Sequence, residues 1–506
     1  MAATPGPGTL PNITHDASGN VVVNGPMTIP GRTRVRSKGS AMQRLSYAKR
    51  GTSAITSART YDEQWPAFGE FTGLRVGLSD CGAFVDQIDL IAVSSPATKN
   101  NQGASLTWIP APFDGLRQLF RQGKPSESYN TFQAIPSSGA VTVGTRYYIG
   151  RYISATNFVV KKATTALTAI TDYVYNPDEG TLRFVAGGAV STGDTNITYG
   201  AVTPDNPRTL WSDHILLKSA VRSDSGMYPL IRVRTYCRGD LGGGSGLTWH
   251  ILGPSGQNDY DVGTWFGETG ACYSTYGTGD RITSPTDITF GTTGSSNQNA
   301  SQFLIDYVKP CYDVATYGDS IANGASTIDC MSPVNWAAKT CFAENRKYVV
   351  SPYNSAVPSR HSRNMFNALA YDLLNQGLSP SFVMLTPGTG NNGDSSAIAA
   401  NMTWLSKSLD LCSRFGVVPI IETIQPHVAM LTPDAAVRGV YNDIIRSMAG
   451  NRAFILDSDL IVRDPANPAQ LLPAYAAGVP EPHINVAGEQ AKAAALLNII
   501  DQAVGG

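Results

Sequence analysis

The sequence is short of charge. Of its 506 residues only 15% are Asp, Glu, Lys or Arg, and the formal net charge is −1. A chain so near neutrality offers no bulk field to a nucleic acid or an acidic polymer, and neither is expected as a partner. It has no run of 18 apolar residues, so no stretch reads as a membrane-spanning helix. The start, MAATPGPGTLPNITHDASGN, lacks the basic stretch and apolar core of a secretory signal, and none is expected. The seven cysteines (Cys81, Cys237, Cys272, Cys311, Cys330, Cys341, Cys412) contain no CxxC pair. An odd number without metal spacing predicts reduced thiols and folding in a reducing cytosol, with no metal and no cofactor. The loop RGDLGGGSG (238–246) lacks calcium-loop spacing. No heptad or collagen-like segment shows an oligomer, and a homo-oligomer stays open.

What is plentiful is Gly (50) and Pro (31), set between short apolar runs. That texture predicts much β structure, and the length predicts two to four domains. Residues 1–50 read as a flexible N-terminal or attachment segment. Its stretch 31–50 carries seven basic residues and no acid, which suits a solvated or partner-ordered arm better than a nucleic-acid arm. Residues 51–125 and 204–300 carry strand-like runs such as GLRVGLS, QIDLIAVSS and YPLIRVRTYC, expected to form a discontinuous β-sandwich. Residues 126–203 read as a small β module inserted in it, with a hairpin turn at NPDEGT (176–181). Trp65, Trp108, Trp211, Trp249 and Trp265 lie in this β region, where core packing is the default role and sugar stacking the alternative. The Gly/Ser/Thr/Asn-rich stretch 285–302 reads as a linker.

From 305 to 506 the rhythm changes to alternating strands and helices, several helices closing on Gly. Five such alternations predict a C-terminal α/β domain with a doubly wound parallel sheet. Sites in such sheets lie where loops leave the carboxyl ends of the strands. Four polar segments fall there: YGDSIANG (317–324), YNSAVPSRHS (353–362), TPGTGNNGD (386–394) and EPHINVAG (481–488). Together they offer a hydroxyl at a strand-to-helix junction, free N–H groups, side-chain amides and a histidine. These are the parts that acyl transfer needs. A lone Gly-Asp-Ser would be a turn; its company makes Ser320 a candidate nucleophile. Asp319 is expected to hold the turn by local hydrogen bonds. His361 reads as a surface residue and His427 as a pocket-lining candidate, while His15, His214 and His250 have no evident partner.

The order of these four blocks resembles the SGNH (GDSL) hydrolase family over roughly residues 310–506. The resemblance implies Ser320 as nucleophile and His483 as general base. It also implies an oxyanion hole made by the N–H groups of Ser320 and Ser359 and by a side-chain amide. The third block has one extra residue. Aligning Gly388-Thr389 on the family's Gly-x pair makes Asn391 the amide and Asn392 its alternate. In the fourth block Pro480, not Asp, stands three residues before His483. The acid expected to orient the ring is therefore Glu481, two residues before it. Asp457 or Asp459, or a backbone carbonyl behind a Ser–His dyad, are the alternatives.

The implied activity is ester hydrolysis, with O-acetyl groups on a polysaccharide as the favoured substrate. The β modules, the absent signal and the reduced cysteines resemble a phage tail fibre or tailspike esterase attached to the virion through its N-terminus. The inserted module is similar to small β modules of such proteins. Two other readings stay open. One is a receptor-binding or structural virion protein with a degenerate hydrolase domain, motivated by the missing Asp. The other is a lipase or general carboxylesterase, disfavoured by the polar residues flanking the blocks.

Overall fold

The computed structural model describes residues 12–15, 21–24, 35, 37–45, 48–51, 59–79, 88–98, 106–111, 133–135, 139–148, 158–176, 181–201, 209–224, 226–237, 248–251, 273–279, 281–282, 300–324, 331–356, 362–375, 377–387, 395–426, 432–478 and 483–505. Its organising element is an 18-residue strand, Ala300–Tyr317. The first half of this strand is paired antiparallel on both sides. Phe303 stands opposite Val76 of Phe71–Ser79 and opposite Gln43 of Lys38–Gln43. The second half is paired parallel on both sides, with Val314 opposite Pro352 of Val349–Asn354 and opposite Phe382 of Phe382–Leu385. Neighbours change over Asp306–Cys311, where both antiparallel ladders shift register. Pro310 lies in that interval and has no N–H to give to a ladder.

Beyond Phe382–Leu385 the sheet continues parallel through Val418–Glu422 and Phe454–Leu456. These four parallel partners are buried at every position, as parallel strands covered by helices on both faces are. The helices are Pro333–Ala343, Ser362–Ala370 with a π turn Tyr371–Asn375, Ser395–Phe415, Thr432–Ser447 and Val486–Val504. Their ends carry the expected cap chemistry. Ser332 accepts from Asn335 N ahead of Pro333, and Asn485 accepts from Gly488 N at the start of the last helix. Among the described residues no helix is long and apolar enough to cross a membrane.

Two expectations change. The flexible segment does not extend through residue 50, because Lys38–Gln43 is a strand of the main sheet and Ala41, Met42 and Leu45 are core. The domain boundary near 305 does not separate two bodies either, since the long strand starts at Ala300 and runs through that point, while residues 285–299 of the expected linker fall outside the described residues. One hydrophobic cluster reaches from Ala41 and Trp65 to Leu496 and Ile500. A five-stranded antiparallel sheet, ordered Tyr273–Thr278, Arg59–Pro66, Leu230–Cys237, Ile88–Ser94, Ile109–Pro110, belongs to it. Trp65 of that sheet meets Phe303 of the long strand edge-on at 6.1 Å. The antiparallel strands are thus not a self-contained sandwich. They share hydrogen bonds and core with the α/β part.

Residues 133–201 hold a second, separate core around Ile135, Val160, Leu182, Phe184, Ile197 and Tyr199. A four-stranded and a three-stranded antiparallel sheet enclose it. The expected hairpin is present as Tyr173–Asn176 paired with Thr181–Phe184.

Inside the five-stranded sheet, Asp62 is fully buried between two buried arginines. Arg232 Nε donates to Oδ1 at 2.7 Å and Arg234 Nε to Oδ2 at 2.8 Å. The Arg234 guanidinium also lies 4.1 Å from the centre of the Trp108 ring, which gives Trp108 a packing role. An Asp62→Ala variant would leave two guanidinium groups buried without their anion. The expected loss is about 3–5 kcal/mol of unfolding free energy, read from the urea midpoint. A change below about 1 kcal/mol would contradict this account of the sheet.

Candidate active site

The long strand ends at Tyr317, and the chain turns at once into a short helix, Ser320–Asn323. Three local devices force that turn. Asp319 caps the helix, its Oδ1 accepting from Ile321 N at 2.9 Å. Gly318 is packed so closely that a Cβ there would stand 2.6 Å from Ala322 Cβ and 2.8 Å from Thr386 Cβ. Gly324 ends the helix at φ 76°, where a Cβ would meet the Met331–Ser332 backbone at 2.6 Å. The result places Ser320 half-buried at the first position of the helix, where a backbone N–H has no partner within the helix.

The neighbouring strand ends are locked to this turn. Thr386 N donates to Tyr317 O at 2.9 Å and Ser355 N to Thr316 O at 2.8 Å. Asn354 Nδ2 donates to Asn323 Oδ1 at 3.2 Å, while Asn354 Oδ1 accepts from Ala356 N at 3.0 Å. Arg44, from the segment read as flexible, donates from Nε to Asn354 O at 2.9 Å and lies 4.1 Å over the Tyr353 ring. The Tyr317 hydroxyl donates to Asp372 Oδ2 at 2.8 Å, and burial holds that phenol well above its usual range.

His483 arrives from the far end of the chain. It lies just before the last helix, where Ala477 N donates to His483 O at 3.3 Å and Asn485 N to Tyr475 O at 2.8 Å. The Asn485 amide also donates to Ala474 O at 2.8 Å, so the two arms of this loop are stitched together. The ring then presents Nε2 at 2.9 Å from Ser320 Oγ, across 163 residues of sequence. With Nε2 unprotonated, the imidazole accepts the Ser320 hydroxyl hydrogen. This is the arrangement in which a histidine can take that proton as the oxygen attacks.

Other residues singled out in the sequence lie elsewhere or outside the described residues. Asp457 caps the helix Ser458–Val462 and takes Arg446 on both oxygens, at 2.7 and 2.9 Å, with Thr423 Oγ1 at 3.0 Å. Asp459 takes Arg446 and Arg438. Both carboxylates thus hold arginines of Thr432–Ser447. Glu481, Ser359, Asn391, Asn392, His361 and His427 fall outside the described residues. His214 does have a partner, Asp306 Oδ2 at 2.5 Å. Among the described residues no group of three or more His, Cys, Asp or Glu could hold a metal ion.

Sequence reading missed Arg44, Asn323, Asn354 and Thr386. Asn323, Asn354 and Thr386 were within the quoted blocks, and for Asn354 and Thr386 the position directly at a strand end was the available signal. Arg44 offered none, because its basic neighbours masked the strand.

No family profile matches the sequence, and no curated protein matches it. Solved structures do resemble it in part. A lipolytic protein of the G-D-S-L family from Desulfitobacterium hafniense is 14% identical, over 37% of this chain and 98% of its own, with a TM-score of 0.30. The psychrotrophic esterase EstA from Pseudoalteromonas, in a form inhibited by monoethylphosphonate, is 12% identical over 38% of this chain and 99% of its own, with a TM-score of 0.30. A variant acetyl xylan esterase from Geobacillus stearothermophilus is 16% identical over 37% of this chain and 94% of its own, with a TM-score of 0.30. At such scores these likenesses carry no functional conclusion, and the chemistry is read from Ser320 and His483.

Replacing Gly318 by Ala forces the turn off Thr386 or Ala322. The expected cost is about 1–3 kcal/mol of stability, as for other overpacked sites, seen as a lowered melting temperature. An unchanged melting temperature would mean that the turn has room the geometry denies it.

Proposed function

We propose that the protein is a serine esterase that removes small acyl groups, O-acetyl above all, from a polysaccharide. The observation that carries this reading is the 2.9 Å contact between Ser320 Oγ and His483 Nε2 at the carboxyl edge of the parallel sheet. In the proposed cycle His483 takes the Ser320 proton as Oγ attacks the ester carbonyl. The tetrahedral oxyanion is met by the Ser320 N–H, with the Ser359 N–H and the Asn391 amide as the proposed remaining donors. His483 then protonates the departing alcohol, and the acyl group stays on Ser320. Water attacks next, His483 accepting its proton, and Ser320 is regenerated. Glu481 is proposed to orient the ring.

The preference for a short acyl group rests on chemistry around the site. Each CH₂ of a longer chain needs apolar wall worth about 0.8 kcal/mol. The segments that leave the strand ends are rich in Asn, Ser, Thr and Gly instead. The bulky alcohol side of the ester is assigned to a bacterial surface glycan, and the protein to a phage tail with its N-terminal segment as the attachment. Both assignments rest on sequence texture and belong to the proposal.

Ser320→Ala should lower kcat on p-nitrophenyl acetate by about 10⁴-fold or more while leaving the melting temperature nearly unchanged. Residual activity within about tenfold of the parent would remove Ser320 as the nucleophile.

Turnover should fall steeply from p-nitrophenyl acetate to octanoate, and acetylated capsular or O-antigen polysaccharide should release acetate without shortening. Faster turnover of octanoate would favour the lipase reading. Cell binding without any ester turnover would favour a receptor-binding protein.

A further inference from the structure

Behind the Ser320 turn lies a buried set of charges with no part in the ester chemistry above. Glu422 ends the strand Val418–Glu422, and Glu489 and Lys492 lie on the helix Val486–Val504; all three are at most 1% exposed. Lys492 Nζ donates to Glu422 Oε1 at 2.8 Å, and Ser458 Oγ donates to the same oxygen at 2.7 Å. Thr386 Oγ1 donates to Glu422 Oε2 at 2.7 Å. Thr386 is the residue that crowds Gly318 and whose N–H closes on Tyr317 O. One lysine therefore reaches the nucleophile turn through Glu422 and Thr386. Through its own helix, whose first cap Asn485 is stitched to the 474–476 arm, it reaches the His483 loop.

A buried ion pair is weak evidence of stability, because apolar residues of the same shape would often serve as well or better. Its geometry here is the informative part. We propose that Lys492 is a positioning residue for the Ser320–His483 pair, holding the nucleophile turn and the histidine loop at a fixed spacing through Glu422. The proposal rests on the esterase reading for its catalytic consequence, though not for its structural one.

The charged groups facing this lysine are Glu422 from the strand end and Glu489 from its own helix, the latter at 3.5 Å. Glu489 Oε2 is buried, and its contact with Lys492 Nζ at 3.5 Å is the long, weak one of the two. Burial is the main cause that pushes this carboxyl up to about 8, so near neutrality it holds a proton. Lys492 Nζ is then left with Glu422 Oε1, at 2.8 Å, as its closest carboxylate oxygen. Asp457 and Asp459, at the next strand end, are taken up by Arg446 and Arg438. Because the folded-state value lies above the unfolded one, the stability that protonated Glu489 contributes is complete below the unfolded value. It is lost as pH rises towards about 8.

Three variants test this. Lys492→Met alone leaves Glu422 a buried unpaired charge and is expected to lower the melting temperature as well as activity. The double variant Glu422→Gln/Lys492→Met keeps shape and charge balance, so it separates folding from positioning. In that folded double variant kcat on p-nitrophenyl acetate should fall at least about tenfold with KM within about threefold. The imidazole signals of His483, assigned among the six histidines, should shift. Unchanged kcat together with unmoved His483 signals would reduce Lys492 to a structural residue. Moved His483 signals in a parent that turns over no ester would keep the positioning role and sink the esterase reading instead. Finally, the melting temperature of the parent should fall relative to that of Glu489→Gln as pH rises from about 5 to about 9. Parallel curves would overturn the charge balance on which the positioning depends.

Discussion

The constraint on which everything else depends is that one strand, Ala300–Tyr317, must satisfy two kinds of ladder at once. Side chains alternate faces along a strand, so a slip of a single residue would exchange core and surface along its length. The antiparallel partners Phe71–Ser79 and Lys38–Gln43 fix the register of its first half, the parallel partners that of its second. The strand then hands Gly318, Asp319 and Ser320 to the turn at a set height above the sheet. The β region is for this reason part of the mechanism of placement, and Arg44 makes the link explicit. Its main chain pairs with Pro352 O and Asn354 N, both at 2.8 Å, beside the second strand end of the site.

Burying charge is expensive, and several of the buried carboxylates described here are answered by cations. Asp62 has Arg232 and Arg234, Asp457 and Asp459 have Arg446 and Arg438, and Glu422 has Lys492 with two hydroxyls. Ser320 and His483 differ. They are half-buried and paired with each other across the chain, which leaves them open to a substrate. A rigid, internally satisfied frame around one accessible hydroxyl–imidazole contact is what the proposed acyl transfer requires.

Ser320 and His483 were legible in the sequence because each sits in a short polar segment between elements with clear periodicity. Turn and cap residues, Gly318 and Gly324 on one side and Asn485 on the other, mark those junctions. The α/β rhythm after residue 305 was legible for a related reason: parallel strands such as FVML, and VPIIE up to its terminal Glu422, are apolar, and the helices between them close on Gly. The strand Lys38–Gln43 was not legible. It offers only Ala41 and Met42 as apolar residues, inside a basic run, and takes its conformation from the long strand beside it. The start of the long strand was hidden in the same way by its Gly/Ser/Thr/Asn-rich approach. The Asp457–Arg446 pair was not legible, because the arginine lies on a helix whose spatial position no local pattern discloses. Glu489 and Lys492 left a faint signal, two charges on the stripe that also carries Ala493, Leu496 and Ile500, all buried.

The most direct test of the central claim is covalent. A p-nitrophenyl alkylphosphonate reacts irreversibly with a serine oxygen that a neighbouring base deprotonates, and peptide mass spectrometry locates the adduct. If Ser320 is the nucleophile and His483 its base, the reagent should leave one adduct, on the peptide containing Ser320. The rate of labelling should drop sharply in a folded His483→Ala variant. An adduct on another residue, no adduct on the folded parent, or equal labelling rates with and without the His483 imidazole would contradict the account.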